Sequence, residues 1–365
     1  MSERSVLRPL PVIHSVAVLV FAVSGCAPGL QAGADPAPIP ASAEASEAGK
    51  PTDYVALGDR LRVAIEAGYH SPPELDREPW TAFWADLEEG FSEAGTDRDA
   101  LHAFDMAVRS LGMSHLHLYG PRAAPRAAGG PAVAPPVHVR YGVRPDGVAV
   151  LRIDRFLLDA TVGPITDALR DVAVRQPAAL VLDLRQCSGG DLAAMTVAAH
   201  LVAQPTPIGL FIARPWWDGH DRVPAPEEWP GLPHVLEPDL GAFFEALTGV
   251  GAAVGVVTPT EPRYDGPVYV LTSPETASAA EPLVHLLKTT GRAVVVGERT
   301  MGAMLSSDRT DLGGGWTLVY PGADYFTPEG GRLEGVGVEP TVAAPSNRAL
   351  TVALGLIADR SVAPR

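Results

Sequence analysis

Between Leu271 and Gly302 the chain reads LTSPETASAAEPLVHLLKTTGRAVVVGERTMG, a turn, a helix and a strand in close succession after an apolar run. Val268-Tyr269-Val270-Leu271 is strand-like, Ser273-Pro274-Glu275 turns the chain, and Ser278 stands where a helix begins. Ala293 to Val296 then starts another strand. A hydroxyl at such a turn points away from the sheet, with backbone N–H groups of the new helix beside it. That places an attacking oxygen next to donors for the oxyanion it would create. A simpler reading competes. Ser278 and Glu281 form S-x-x-E, a capping box that closes a helix start without chemistry, and capping serines far outnumber nucleophiles. Pro282 fits both readings, because proline is tolerated near a helix start.

Two further blocks widen the context. Leu180-Val181-Leu182-Asp183-Leu184-Arg185 runs into Gly189-Gly190-Asp191, an apolar strand followed by a glycine loop. Near the C-terminus stands Glu334-Gly335-Val336-Gly337-Val338-Glu339-Pro340. With Thr276-Ala277-Ser278-Ala279-Ala280-Glu281, Gly291-Arg292-Ala293 and Val296-Gly297-Glu298-Arg299-Thr300-Met301-Gly302, these blocks stand in the order of a known pattern. The chain resembles the serine peptidase family of C-terminal processing proteases, the tricorn core and the interphotoreceptor retinoid-binding protein repeats, over residues 52–359. The resemblance implies an α/β fold, a crotonase-like ββα-spiral core preceded by a small helical N-terminal domain, and Ser278 as nucleophile.

The chain's 365 residues, 46% of them hydrophobic, suffice for one large or two modest domains. A formal charge of −15 argues against nucleic acid or an anionic membrane face as partner. Residues 1–25 carry Arg4 and Arg8, then an apolar stretch from Val12 to Val23 that is short for a retained span and reads as a secretory signal. It ends in Val23-Ser24-Gly25-Cys26, which resembles the bacterial lipobox, so Cys26 is the expected lipidation site. The expected location is the bacterial cell envelope, with the Cys26 lipid as the membrane contact. Cys187 is then left without a disulfide partner, either a small buried residue by the glycine loop or a second nucleophile.

Residues 26–51, rich in Ala, Pro, Ser, Gly and Glu, read as a disordered tether. A helical N-terminal domain is expected over 52–120, with a helix from Thr96-Asp97-Arg98-Asp99 to Gly112. Residues 121–136 form a connector where many relatives hold a peptide-binding PDZ domain, for which sixteen residues are too few. The peptidase-like α/β core follows over 137–345, then a C-terminal helix and tail over 346–365. Strand-like runs fall at 138–143, 148–153, 178–184, 207–212, 267–272, 293–297 and 316–320. Helix-like runs fall at about 160–175, 191–203 and 278–290, which indicates a largely buried sheet. Residues 213–262, with Trp216, Trp217 and Trp229, form a long insertion, read as a lid, a binding loop or a surface excursion. Asp218-Gly219-His220-Asp221 lacks a spaced ligand set, and no metal or other cofactor is expected.

A serine nucleophile needs a neighbour to take its proton. One branch of the resembled family uses a lysine after T-x-G, where this chain has Ala303-Met304. The chain's two lysines are Lys50, in the tether, and Lys288, about 15 Å along the helix from Ser278. The tricorn-like branch uses a histidine from the helical region, which here corresponds to His115 in Leu111-Gly112-Met113-Ser114-His115-Leu116. Met113 and Leu116 depart from that branch's pattern. In a strand His117 would face the same side as His115 and compete with it, whereas His285, two helical turns beyond Ser278, is a poor rival. The resemblance adds Ser114 and Glu334 as supports of the base and Gly190, or Gly189 in its place, as an oxyanion donor. Ala279 is the second donor, because the residue after a nucleophile at a helix start presents its N–H inward. The expected function is an exported, lipid-anchored serine endopeptidase acting on polypeptides. A non-catalytic binding protein for apolar ligands on the same fold is the alternative. An acyl-CoA enzyme fits poorly with an exported acidic chain.

Overall fold

The structure, a computed structural model, describes residues 52–121 and 137–362. The signal segment, Cys26, the tether and nearly all of the connector lie outside the described residues. Three helices come first, α1 (Tyr54–Gly68), α2 (Trp80–Glu93) and α3 (Asp97–Leu111). α3 starts where its sequence predicts, since Thr96 Oγ1 accepts the Asp99 N–H at 3.3 Å. It stops on Gly112, whose φ of 60° is the left-handed conformation glycine adopts cheaply. Leu57, Phe83, Trp84 and Phe104 pack with Trp316, Leu318 and Tyr320 of a core strand. The helical region therefore shares its core with the α/β part.

The first sheet contains β2 (Val139–Val143), β3 (Val148–Ile153), β4 (Ala179–Asp183), β8 (Val268–Thr272), β9 (Ala293–Gly297) and β12 (Val342–Ala343). Its order is β12-β9-β8-β4-β3-β2, parallel except for the β2–β3 pair. Leu180, Leu182, Val268, Val270 and Val295 face the helices α4 (Leu158–Arg175), α5 (Ala194–Ala199) and α7 (Ala280–Thr289). Val181, Tyr269, Leu271 and Val296 face the other way, onto α8 (Ala349–Val362). Covered on both faces, β4 and β8 are buried at every position, which is why they read as unbroken apolar runs.

The second sheet was disclosed by the pattern only in part, through the runs 207–212 and 316–320. It contains β1 (His117–Tyr119), β5 (Thr206–Ala213), β6 (His234–Val235), β7 (Ala252–Val257), β10 (Ser306–Gly313) and β11 (Trp316–Phe326). β11 is its centre, with β10 along one edge and β1 and then β5 along the other; β7 and β6 continue from β5. Residues 213–262 are thus no simple excursion. They supply β7, buried throughout, and helix α6 (Leu240–Gly249), whose Phe243 and Leu247 pack under the sheet. Small residues hid β7, which reads Ala-Ala-Val-Gly-Val-Val, and polar ones hid β10, which reads SSDRTDLG. His220 stacks on Trp216 with ring centroids 3.6 Å apart and so serves packing within this segment.

Candidate active site

Ser278 lies in the turn between β8 and α7 with φ 53°, a left-handed value that costs a residue with a β-carbon about 1 kcal/mol or more. Three non-glycine residues take positive φ among those described, Gln176 at a helix end, Ser278, and His115. The turn is tied on both sides. Ala277 N–H donates to Cys187 O at 3.0 Å, which fixes the glycine loop beside the serine. Ser278 N–H donates to Glu281 Oε2 at 3.0 Å. That second bond is half of the capping box read from the sequence. The other half is missing, because Glu281 N–H goes to the Ser278 carbonyl at 2.7 Å rather than to its hydroxyl. The helix begins one turn-residue later than a serine cap requires, at Ala280, and the hydroxyl is left for other work.

His115 precedes β1 and enters it from a left-handed turn at φ 61°. This turn breaks the strand alternation that would have put His115 and His117 on one side. His115 is buried and lines the same cavity as Ser278, whereas His117 lies in β1 opposite Val319 and does not line it. His115 Nδ1 is 2.7 Å from Ser114 Oγ, which is 2.9 Å from Glu334 Oε2. Glu334 Oε1 also accepts the Ser114 N–H at 2.7 Å. With a carboxylate at one end, the Ser114 O–H donates to Glu334 and accepts Nδ1–H. That network assigns the tautomer whose Nε2 carries a lone pair. Among the described residues His115 makes no direct bond to Ser278.

The glycine loop meets the serine closely. A β-carbon at Gly189 would collide with Ser278 Cβ, and Gly189 takes φ 90°, so this position needs glycine. Phe156 N–H donates to Gly189 O at 2.8 Å and Asp191 N–H to Phe156 O at 3.0 Å. That bridge uses neither the N–H of Gly190 nor that of Ala279, and both residues line the cavity. Among the described residues neither amide has an acceptor, and two such donors beside the hydroxyl can receive an oxyanion.

Sequence reasoning missed a fourth feature. Four consecutive amides, Gly302 to Leu305, are shared between two carboxylates. Glu281 accepts from Gly302 at 2.7 Å and Ala303 at 2.9 Å; Glu334 accepts from Met304 at 2.6 Å and Leu305 at 3.2 Å. Glu281 also accepts the Thr300 hydroxyl at 2.6 Å. One loop thereby couples the serine's turn to the histidine's support. The S-x-x-E spacing named Glu281, but no local pattern shows that its carboxylate reaches residues 300–303.

The remaining candidates stand elsewhere. Lys288 Nζ donates to Glu339 O at 2.7 Å, and His285 Nε2 lies 2.9 Å from Glu329 Oε2. Burial pushes the Cys187 thiol up to about 12, which removes it as a nucleophile near neutrality.

Burial, with the neighbouring His117 adding, pushes the His115 imidazole down from 6.5 to about 4. Only neutral imidazole accepts a proton, so lowering its pKa extends the competent range downward. The rate of reaction of Ser278 with a fluorophosphonate is expected to rise with pH, pass half its plateau near 4 and be flat by neutrality. A midpoint at or above 6.5 would show an imidazole that is solvated or paired with a carboxylate instead.

Residues 147–344 match the sequence model of peptidase family S41. A carboxyl-terminal-processing protease of Picosynechococcus sp. is 28% identical over 198 residues, 54% of this chain and 39% of that protein. A chloroplastic C-terminal processing peptidase of Tetradesmus obliquus is 28% identical over 182 residues, 50% of this chain and 32% of that one. The chain thus spans less than half the length of these curated relatives. A solved structure of a lipoprotein from Streptococcus agalactiae shares the fold, with a TM-score of 0.54 at 13% identity, over 85% of this chain and 98% of the other.

Proposed function

The chain belongs to peptidase family S41, and we propose that it is an exported, lipid-anchored serine endopeptidase that opens peptide bonds through an acyl-enzyme at Ser278. One observation carries the reading: a left-handed serine shares a cavity with a buried histidine whose Nδ1 is tied through Ser114 to Glu334. His115 Nε2 takes the Ser278 proton as Oγ bonds to the scissile carbonyl carbon. The carbonyl oxygen becomes an oxyanion and accepts from Gly190 and Ala279 N–H. His115 then gives the proton to the amine, the C–N bond breaks, and an ester to Ser278 remains. Water repeats the sequence and frees the acid. Ser114 and Glu334 hold the imidazole and balance its charge in both halves.

A fluorophosphonate probe tests this directly. The expected adduct maps to Ser278 by mass spectrometry and is absent in Ser278→Ala. A folded protein that resists the probe and cleaves nothing in a broad peptide mixture would sink the peptidase reading and leave the apolar-ligand-binding alternative, which draws on the same cavity. Anchoring rests on Val23-Ser24-Gly25-Cys26, and places the protein in a bacterial cell envelope. Labelled palmitate is expected in the native protein and not in Cys26→Ser, which should also leave the membrane fraction. Absence of label in the native protein would overturn the anchor alone.

A further inference from the structure

We infer that the cavity beside Ser278 receives the side chain of the residue whose carbonyl is attacked, that it selects a large apolar one, and that Leu240 and Phe244 of the inserted helix α6 set that choice. The inference rests on the peptidase reading above and names the substrate class of that site.

Ser278, His115, Gly190 and Ala279 all line the cavity. Much of the remaining lining is apolar: Met195 from α5, Phe211 from β5, and Leu240, Phe243 and Phe244 from α6. About 800 Å³ there is unfilled by atoms, part of it open solvent. One carboxylate lies in the lining, and it is committed. Asp191 accepts Leu158 N–H and Ala193 N–H, each at 2.9 Å. An anionic substrate side chain placed here would lose its water and meet the Asp191 carboxylate in place of a counter-charge, whereas an apolar one exchanges water for aromatic and aliphatic contact.

The assignment to the acyl side follows from connectivity. Leu192, two residues beyond Gly190, packs with Phe211 and Phe244 against the cluster that holds Phe243. The apolar wall therefore continues from the oxyanion loop. A carbonyl oxygen held by Gly190 and Ala279 puts its own residue against that wall. The departing amine must lie toward His115, which protonates it. Helix α6 is the adjustable part of the wall, because Leu240 and Phe244 are only half-buried while Phe243 is buried in the cluster beneath.

A peptide library prepared from a whole-proteome digest, with every new N-terminus read by mass spectrometry, tests the inference. Sites with Leu, Met or Phe on the acyl side are expected to exceed Ala by about tenfold or more, and Asp by about 10²-fold or more. Phe244→Arg is expected to raise the Asp-to-Leu ratio at least about tenfold. That ratio is taken within one sample and does not depend on how much of the variant is folded. Should Phe244→Arg give no cleavage, Leu240→Arg, one turn earlier on the same helix, supplies the same ratio. A flat acyl-side profile, a preference confined to the leaving-group side, or an unchanged ratio in a cleaving variant would overturn the pocket assignment while Ser278 labelling leaves the peptidase reading intact. Failure of the native protein to label and to cleave would remove both.

Discussion

Ser278→Ala and His115→Ala are each expected to lower kcat/KM for a cleaved peptide by about 10⁴-fold or more, and the double substitution is expected to lower it little further. The serine hydroxyl is a weak nucleophile unless its proton leaves as the carbon–oxygen bond forms, so the two groups act as one unit. His115 is equipped for that role by burial, which keeps it neutral, and by Ser114 at 2.7 Å, which turns Nε2 rather than Nδ1 toward the cavity. Residual turnover in either variant would come from the Gly190 and Ala279 amides and from substrate binding. The double substitution is the more telling measurement. Effects that multiply would mean two independent contributions. A His115→Ala protein within tenfold of the native one would exclude His115 as the base, and His117→Ala would be the next variant to make.

Glu281→Ala is expected to lower folding stability by about 3–5 kcal/mol, read as a shift of the urea midpoint with an unchanged slope. Glu281 is fully buried, and its carboxylate accepts four hydrogen bonds, from Ser278, Thr300, Gly302 and Ala303. Burial pushes its pKa above the usual carboxylate range, against the pull of those four donors. Truncation would strand three amides and a hydroxyl where water enters poorly. Glu281→Gln should cost less, since its amide oxygen still accepts, although its NH₂ would face donors. Activity should suffer in both, because Ser278 N–H and the amides next to Glu334's own partners lose their anchor together. A Glu281→Ala midpoint equivalent to less than about 1 kcal/mol would mean that the 300–303 loop finds other acceptors.

Much of the fold was legible because burial on two faces leaves a strong trace. The runs 148–153, 178–184, 267–272 and 293–297 fall on β3, β4, β8 and β9 within a residue or two. The second sheet was half legible. β5 and β11 carry apolar residues, while β7 is built of small residues that fit under α6 and β10 presents polar groups along an edge. Neither β7 nor β10 has the alternation that marks a strand in a linear reading.

At the site, short-range grammar determined what could be done with the chain alone. The strand–turn–helix around Ser278, the Gly189-Gly190 loop and the scarcity of lysine are all properties of neighbours in sequence. Tertiary structure decided the rest. Ser114 and Glu334 are 220 residues apart, and only the packing of the N-terminal helices on β11, with β1 added to its edge, brings them within 2.9 Å. The same holds for which of His115 and His117 lines the cavity with Ser278, which turns on a single left-handed residue before β1. Glu281 reads as a cap from its spacing and becomes a clamp because the 300–303 loop folds over it. A hydrogen bond reaches about 3 Å whatever the separation along the chain, so contacts of this kind leave no periodic signal in sequence.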